Sequence, residues 1–125
     1  MKTCLVVEDS SIVRKMARRI LENLGFEVVE AEDGVDALVV CKRAMPEAIL
    51  LDWNMPVMDG YHFLSHLRRM PGGECPKVVF CTTENGIEHI ERALEGGANE
   101  YIMKPFDKEI ISAKFQEVGL IAVPE

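Results

Sequence analysis

Four short, continuous apolar runs punctuate this chain, and each stops at a polar residue. Cys4 to Val7 stops at Glu8-Asp9, Ala48 to Leu51 at Asp52, Val78 to Cys81 at Thr82-Thr83, and Tyr101 to Met103 at Lys104-Pro105. A fifth run, Phe26 to Val29, is interrupted by Glu27. Runs of this length without alternation are what strands need when both faces of a sheet are covered. A helical stripe follows every run. Strand–helix alternation predicts right-handed crossovers and an α/β fold: a three-layer sandwich with a parallel sheet of five strands and five helices.

The helical stripes are legible one by one. Ser10 or Ser11 can cap the first helix, where Ile12, Met16, Ile20 and Leu24 recur with Val13, Ala17 and Leu21 beside them. The spacing predicts a broad core-facing stripe that includes Met16, ended by Gly25. Asp33-Gly34 opens a second helix carrying Val35, Leu38, Val39 and Cys41, which ends near Pro46. Asp59-Gly60 starts a third with Phe63, Leu64 and Leu67 inward, and MPGGECP reads as a loop. A fourth helix carries Ile87, Ile90, Ala93 and Leu94, and stops at Gly96-Gly97. The fifth starts near Asp107 and carries Ile110, Ile111, Phe115 and Val118. Five such units in 125 residues average 25 each, close to the minimum for a compact crossover, so residues 1–125 read as one domain.

Composition narrows the function. Acids outnumber bases by 21 to 14, a net charge of -7, which argues against nucleic acid or an anionic membrane as the main partner. The acidic pair in MKTCLVVED breaks the first apolar run too early for a signal peptide, and no run approaches a membrane span. Cys4, Cys41, Cys75 and Cys81 show neither a CxxC pair nor zinc spacing, and read as reduced thiols of a cytoplasmic protein. His62 and His66 are four apart on one helix face, but no third ligand accompanies them, so a solvated face is the expectation.

In parallel sheets of this kind ligands collect beyond the carboxyl ends of the strands. The residues there are Glu8, Asp9, Asp52, Thr82 and Lys104. Three carboxylates brought together repel unless a cation holds them, and oxygen donors at this density suit Mg2+. Asn54, two residues past Asp52, offers a backbone carbonyl as a further ligand. A carboxylate beside a cation, an ammonium and a hydroxyl also suits phosphoryl chemistry, because an aspartate can form an acyl phosphate. Neither a P-loop nor a GxGxxG fingerprint is present.

These motifs together resemble the receiver domain of bacterial two-component response regulators, most closely the stand-alone chemotaxis type. VVEDS, LLDWNMPVMDG, TTE and YIMKPF stand in the family's order and at its intervals, across essentially the whole chain. The resemblance implies a flavodoxin-like sheet of order 2-1-3-4-5. It implies that Asp52 is the phosphoacceptor, that Asp9 binds Mg2+ directly (Mn2+ being an alternative), and that Glu8 reaches the ion mainly through water. Asn54 would lend its carbonyl. Lys104 and Thr82 would contact the phosphoryl group, with Thr82 and Tyr101 as the switch pair. Asn54 and Glu84 would tune dephosphorylation, and Lys104-Pro105 would be a cis peptide. A histidine kinase would be the donor. A downstream protein such as a flagellar motor switch or a phosphotransfer protein would be the target of a monomeric switch rather than a metabolic enzyme. A phosphate sink or an intermediate in a multistep phosphorelay is the alternative role. A phosphohydrolase of the haloacid group is disfavoured, because its second acid would fall at Asn54.

Overall fold

A computed structural model describes residues 2–83 and 87–122. Its five strands are β1 (Thr3–Val7), β2 (Glu27–Ala31), β3 (Ala48–Asp52), β4 (Lys77–Thr82) and β5 (Glu100–Met103). The helices are α1 (Ser11–Asn23), α2 (Gly34–Arg43), α3 (Gly60–Arg69), α4 (Ile87–Glu95) and α5 (Lys108–Glu117). All strand pairs are parallel, in the order β2-β1-β3-β4-β5. Strands 1 and 3 are therefore neighbours, with Val7 opposite Leu51. The residues that follow them, Glu8 and Asp52, end up at one edge of the sheet.

Two apolar layers cover the sheet. One packs Cys4, Val6, Leu50 and Val79 against Ala17 and Leu21 of α1 and Ile111 and Phe115 of α5. The other packs Leu5, Ile49, Leu51 and Phe80 against Ala37 and Cys41 of α2, Phe63, Leu64 and Leu67 of α3, and Ala93 of α4. Neighbouring residues on each strand thus serve opposite layers, which is why the runs are apolar without alternation. Phe115 meets Phe26 edge to face at 5.4 Å. Four helices open on a capping side chain: Ser10, Asp33, Asp59 and Asp107 accept from the backbone N–H of Val13, Asp36, His62 and Ile110.

Several expected core positions lie outside the core. Ile12 is 79% exposed and Met16 42%, so the buried stripe of α1 is Ala17 and Leu21 with Val13, Ile20 and Leu24 half-buried beside it. Val35 and Val39 of α2, Leu94 of α4 and Ile110 of α5 are likewise exposed. The cause is shared: each helix buries one face against the sheet and leaves the residues at the margin of its apolar stripe in solvent. Thr82 ends β4. Three of the four free thiols are buried, and Cys75 in the α3–β4 loop is exposed.

Candidate functional site

Each functional side chain sits where a strand runs out of apolar partners. Glu8 follows β1 and is held from four directions. Its backbone N–H donates to Ala31 O at 3.0 Å. Its backbone oxygen accepts from Arg14 Nη1 at 2.7 Å, Oε2 from the Ser10 N–H at 3.1 Å, and Oε1 from Lys104 Nζ at 2.6 Å. Asp9, next along, is exposed. Asp52 closes β3 and is buried, with Oδ1 at 3.1 Å from Lys104 Nζ. Lys104 follows β5, and its N–H donates to Thr82 O at 2.9 Å. Thr82 is itself buried at the end of β4. The Lys104-Pro105 peptide is cis, as the resemblance implies.

The loop after Asp52 is fixed by backbone contacts. Trp53 N–H donates to Cys81 O at 2.9 Å, and Gly60 N–H donates to Trp53 O at 3.0 Å. Gly60 is required here. A Cβ on it would press into the Asp52 carbonyl oxygen and lie 3.1 Å from Trp53 Cα. Only a glycine lets α3 begin this close to the site. Val57 in the same loop has φ 68°, a left-handed conformation costly for a β-branched residue.

Electrostatics decide what the site can hold. Glu8, Asp9 and Asp52 each offer a carboxylate oxygen, all within 4.8 Å of one another. With all groups ionised, three negative charges face one ammonium. Burial first, then the Glu8 charge, pushes the Asp52 carboxyl up to about 7 from its ordinary 3.8, and Lys104 only partly offsets this. Burial alone would lower Lys104, but its hydrogen bond to Glu8 and the charge of Asp52 hold it above the ordinary value. A residual double negative charge, presented on oxygen donors alone, fits a hard divalent cation such as Mg2+. Asn54 is exposed in the loop just beyond Asp52.

The structure brings Glu8, Asp9, Asp52 and Lys104 together and sets Thr82 at the end of the adjoining strand. Tyr101 is half-buried on β5, 6.0 Å from the Phe80 ring, with Lys114 Nζ 5.1 Å from its centroid. Glu84 lies outside the described residues. His62 and His66 are exposed, and His62 Nδ1 pairs with the capping Asp59 at 2.7 Å rather than with a second histidine. Two features escaped the sequence. Trp53 packs against Tyr61, Phe80 and His89 of α3, β4 and α4, at 5.4 to 5.9 Å. Arg14 reaches the Glu8 carbonyl. The first is a long-range packing fact without a local signal. The second had one faint signal, an arginine four residues past the Ser10 cap.

A sequence profile for the response regulator receiver domain matches residues 4–116. The chain belongs to the response regulator receiver family. Among curated relatives, the chemotaxis protein CheY homologue of Campylobacter jejuni is 36% identical over 116 residues, 91% of this chain and 89% of that protein. The phosphate regulon regulator PhoB of Escherichia coli is 40% identical over 114 residues, and this receiver spans 50% of it. Vibrio cholerae CheY4 superimposes with a TM-score of 0.90 at 33% identity, covering 94% of this chain and 98% of that one. The receiver of the sensor kinase PA1611 from Pseudomonas aeruginosa matches with a TM-score of 0.85 at 28% identity, covering 93% and 95%, and has magnesium in its active-site cleft. The fold, the flavodoxin-like order of strands and the CheY-like character of this receiver are thereby fixed. No helix among the described residues is long and apolar enough to cross a membrane.

Proposed function

We propose that this receiver is a phosphorylation switch: Asp52 takes a phosphoryl group from a histidine kinase, and a partner protein reads the result. The observation that carries this reading is the meeting of Glu8, Asp9 and Asp52 oxygens within 4.8 Å, with Lys104 Nζ 3.1 Å from Asp52 Oδ1. Glu8, Asp9, Asp52 and the Asn54 carbonyl would hold Mg2+, which would supply positive charge to the transferring oxygens. Ionised Asp52 attacks the phosphorus of a phosphohistidine. A carboxylate oxygen–phosphorus bond forms, the phosphorus–nitrogen bond breaks, and the imidazole leaves with its electron pair. Lys104, freed from part of its contact with Asp52, meets the negative charge of the new acyl phosphate. The Thr82 hydroxyl donates to a phosphoryl oxygen.

The proposed readout follows from where these groups sit. Thr82 ends β4 and Tyr101 lies on the neighbouring β5, so a shift of Thr82 toward the phosphoryl group frees space for the Tyr101 ring. The α4–β5–α5 face would carry that change to the partner. The CheY of Borrelia burgdorferi, similar at 26% identity and a TM-score of 0.87, has been seen with CheX, BeF3 and Mg2+, which supports a protein partner for the activated state. Chemotaxis is the proposed setting, and a flagellar motor switch or phosphotransfer protein the proposed kind of target. Asn54 and Glu84 would make the phosphorylated state short-lived.

Incubation with a small acyl phosphate donor and Mg2+, followed by mass spectrometry, tests the reading. One acid-stable but base-labile phosphoryl group on Asp52, absent without Mg2+ and absent in Asp52→Ala, is the expected outcome. Capture of a lysate protein only with beryllofluoride and Mg2+ would then identify the partner. Phosphorylation of Asp52→Ala to the same extent would sink the proposal.

A further inference from the structure

Arg14 stands outside the chemistry described so far, yet it reaches into it. Its Nη1 donates to the Glu8 backbone oxygen at 2.7 Å, and its Nε donates to Glu30 Oε1 at 2.8 Å. Glu30 lies on β2 opposite Val6 of β1, so the guanidinium bridges a strand neighbour and the turn after β1. The same Glu30 carboxylate also pairs with Arg18, whose hydrogen bond is the largest influence holding it below the ordinary range. Only Arg14 of the two is seen to touch Glu8.

The Glu8 carbonyl and the Asp9 N–H share one planar peptide unit. Fixing the carbonyl direction therefore fixes the plane from which the Asp9 Cα departs. The Glu8 N–H is tied to Ala31 O and the Ser10 N–H to Glu8 Oε2, and the Arg14 contact adds a hold on the peptide oxygen between them. Asp9 is exposed and makes no hydrogen bond or ion pair among the described residues, so its carboxylate relies on the backbone for its aim. We infer that Arg14 is a positioning residue for the cation site: by clamping the Glu8–Asp9 peptide, it sets the Asp9 carboxylate toward Glu8 and Asp52. A lysine could not make both contacts, because a single ammonium cannot reproduce the two-sided fork. Groups that orient metal ligands in this way commonly alter affinity about tenfold or more when removed.

The inference rests on the Mg2+ reading of the site, and the experiment separates the two. Mg2+ is titrated into wild type, Arg14→Met, Arg14→Lys and Arg18→Met. Binding is read by calorimetry and by emission of Trp53, the sole tryptophan. Circular dichroism confirms that each variant is folded at the temperature used. Arg14→Met should bind about tenfold more weakly and Arg14→Lys several-fold more weakly, while Arg18→Met, which also strips Glu30 of a partner, stays within about twofold of wild type. Equal affinity in wild type and folded Arg14→Met would overturn the positioning role alone. So would an equal loss in Arg18→Met, which would assign the effect to Glu30. No Mg2+ binding by wild type would overturn the site reading and the inference together. If Arg14→Met fails to fold, Arg14→Lys against Arg18→Met decides.

Discussion

Replacing Asp52 by asparagine should make the cation-free protein more stable, and the gain should grow with pH. The carboxyl is buried and faces Glu8, which together raise it from 3.8 to about 7 in the folded chain. Between those two values the folded protein keeps a proton that the unfolded chain has released. Stability therefore falls as pH rises through this window, by about 1.4 kcal/mol per pH unit. Above the folded value the loss levels off, at about 4 kcal/mol in all. An asparagine fills the same space and cannot ionise, so it escapes the whole slope. Part of the absolute gain is offset because the amide gives up the 3.1 Å charged contact with Lys104. That contact forms with the ionised carboxylate only, so its effect is already contained in the folded value of about 7 and in the slope that follows from it. Urea unfolding of both proteins in a chelator, at pH 5 and pH 8, should show their stability gap widening by about 2–3 kcal/mol in favour of the asparagine variant. A gap that stays constant, or narrows, would falsify the claim that burial and Glu8 load Asp52 with strain. Adding Mg2+ at 100 times its dissociation constant should restore about 2.7 kcal/mol to wild type at pH 8 and much less to the variant.

Other substitutions probe the scaffold of the site. Val57→Gly removes a β-branched residue from φ 68° at an exposed position and should raise stability by about 1 kcal/mol in urea titrations. Gly60→Ala forces α3 away from the Asp52 carbonyl; it should cost about 2 kcal/mol or more and slow phosphorylation from a small donor, measured as single-turnover labelling. Arg68 donates to the carbonyls of Gly73, Pro76 and Gly97 and to Asn99 Oδ1, joining the α3–β4 loop to the turn before β5. Arg68→Met should cost about 2–4 kcal/mol and speed amide exchange in both loops together, whereas a loss confined to one loop would count against the joint clamp.

The layout of the sheet was legible because parallel strands buried on both faces cannot hide their signature. Leu5, Leu50 and Val79 had to be apolar whichever layer they faced, and the runs show it. The site was legible for a related reason. A strand end is where the apolar demand lapses, so Glu8, Asp52 and Lys104 stand out against their own runs. Helix faces were less legible. Ile12 and Met16 share the period of Ala17 and Leu21, yet the structure leaves them exposed, because period alone gives a direction and not the width of the buried stripe. Tertiary contacts left the weakest trace. The Arg14 hold on Glu8, the His89 edge on Trp53 and the Arg68 clamp each join residues whose spacing carries no rule of its own.

One physical fact links the stability of this receiver to its proposed chemistry. A protonated carboxyl is a poor nucleophile, and Asp52 is held near neutrality by the same burial and the same Glu8 charge that cost stability. In the cation-free protein, then, a fraction of Asp52 near pH 7 is unfit to attack phosphorus. Lys104 cannot correct this alone, since Glu8 Oε1 holds it more closely, at 2.6 Å against 3.1 Å. A divalent cation among the three carboxylates would favour the ionised form, so that relief of strain and activation of the nucleophile become one event. Glu8 is the residue that makes the coupling work, because it both raises Asp52 and draws Lys104 aside. Moving that charge elsewhere would bring the Asp52 carboxyl down and weaken the dependence of the switch on its ion.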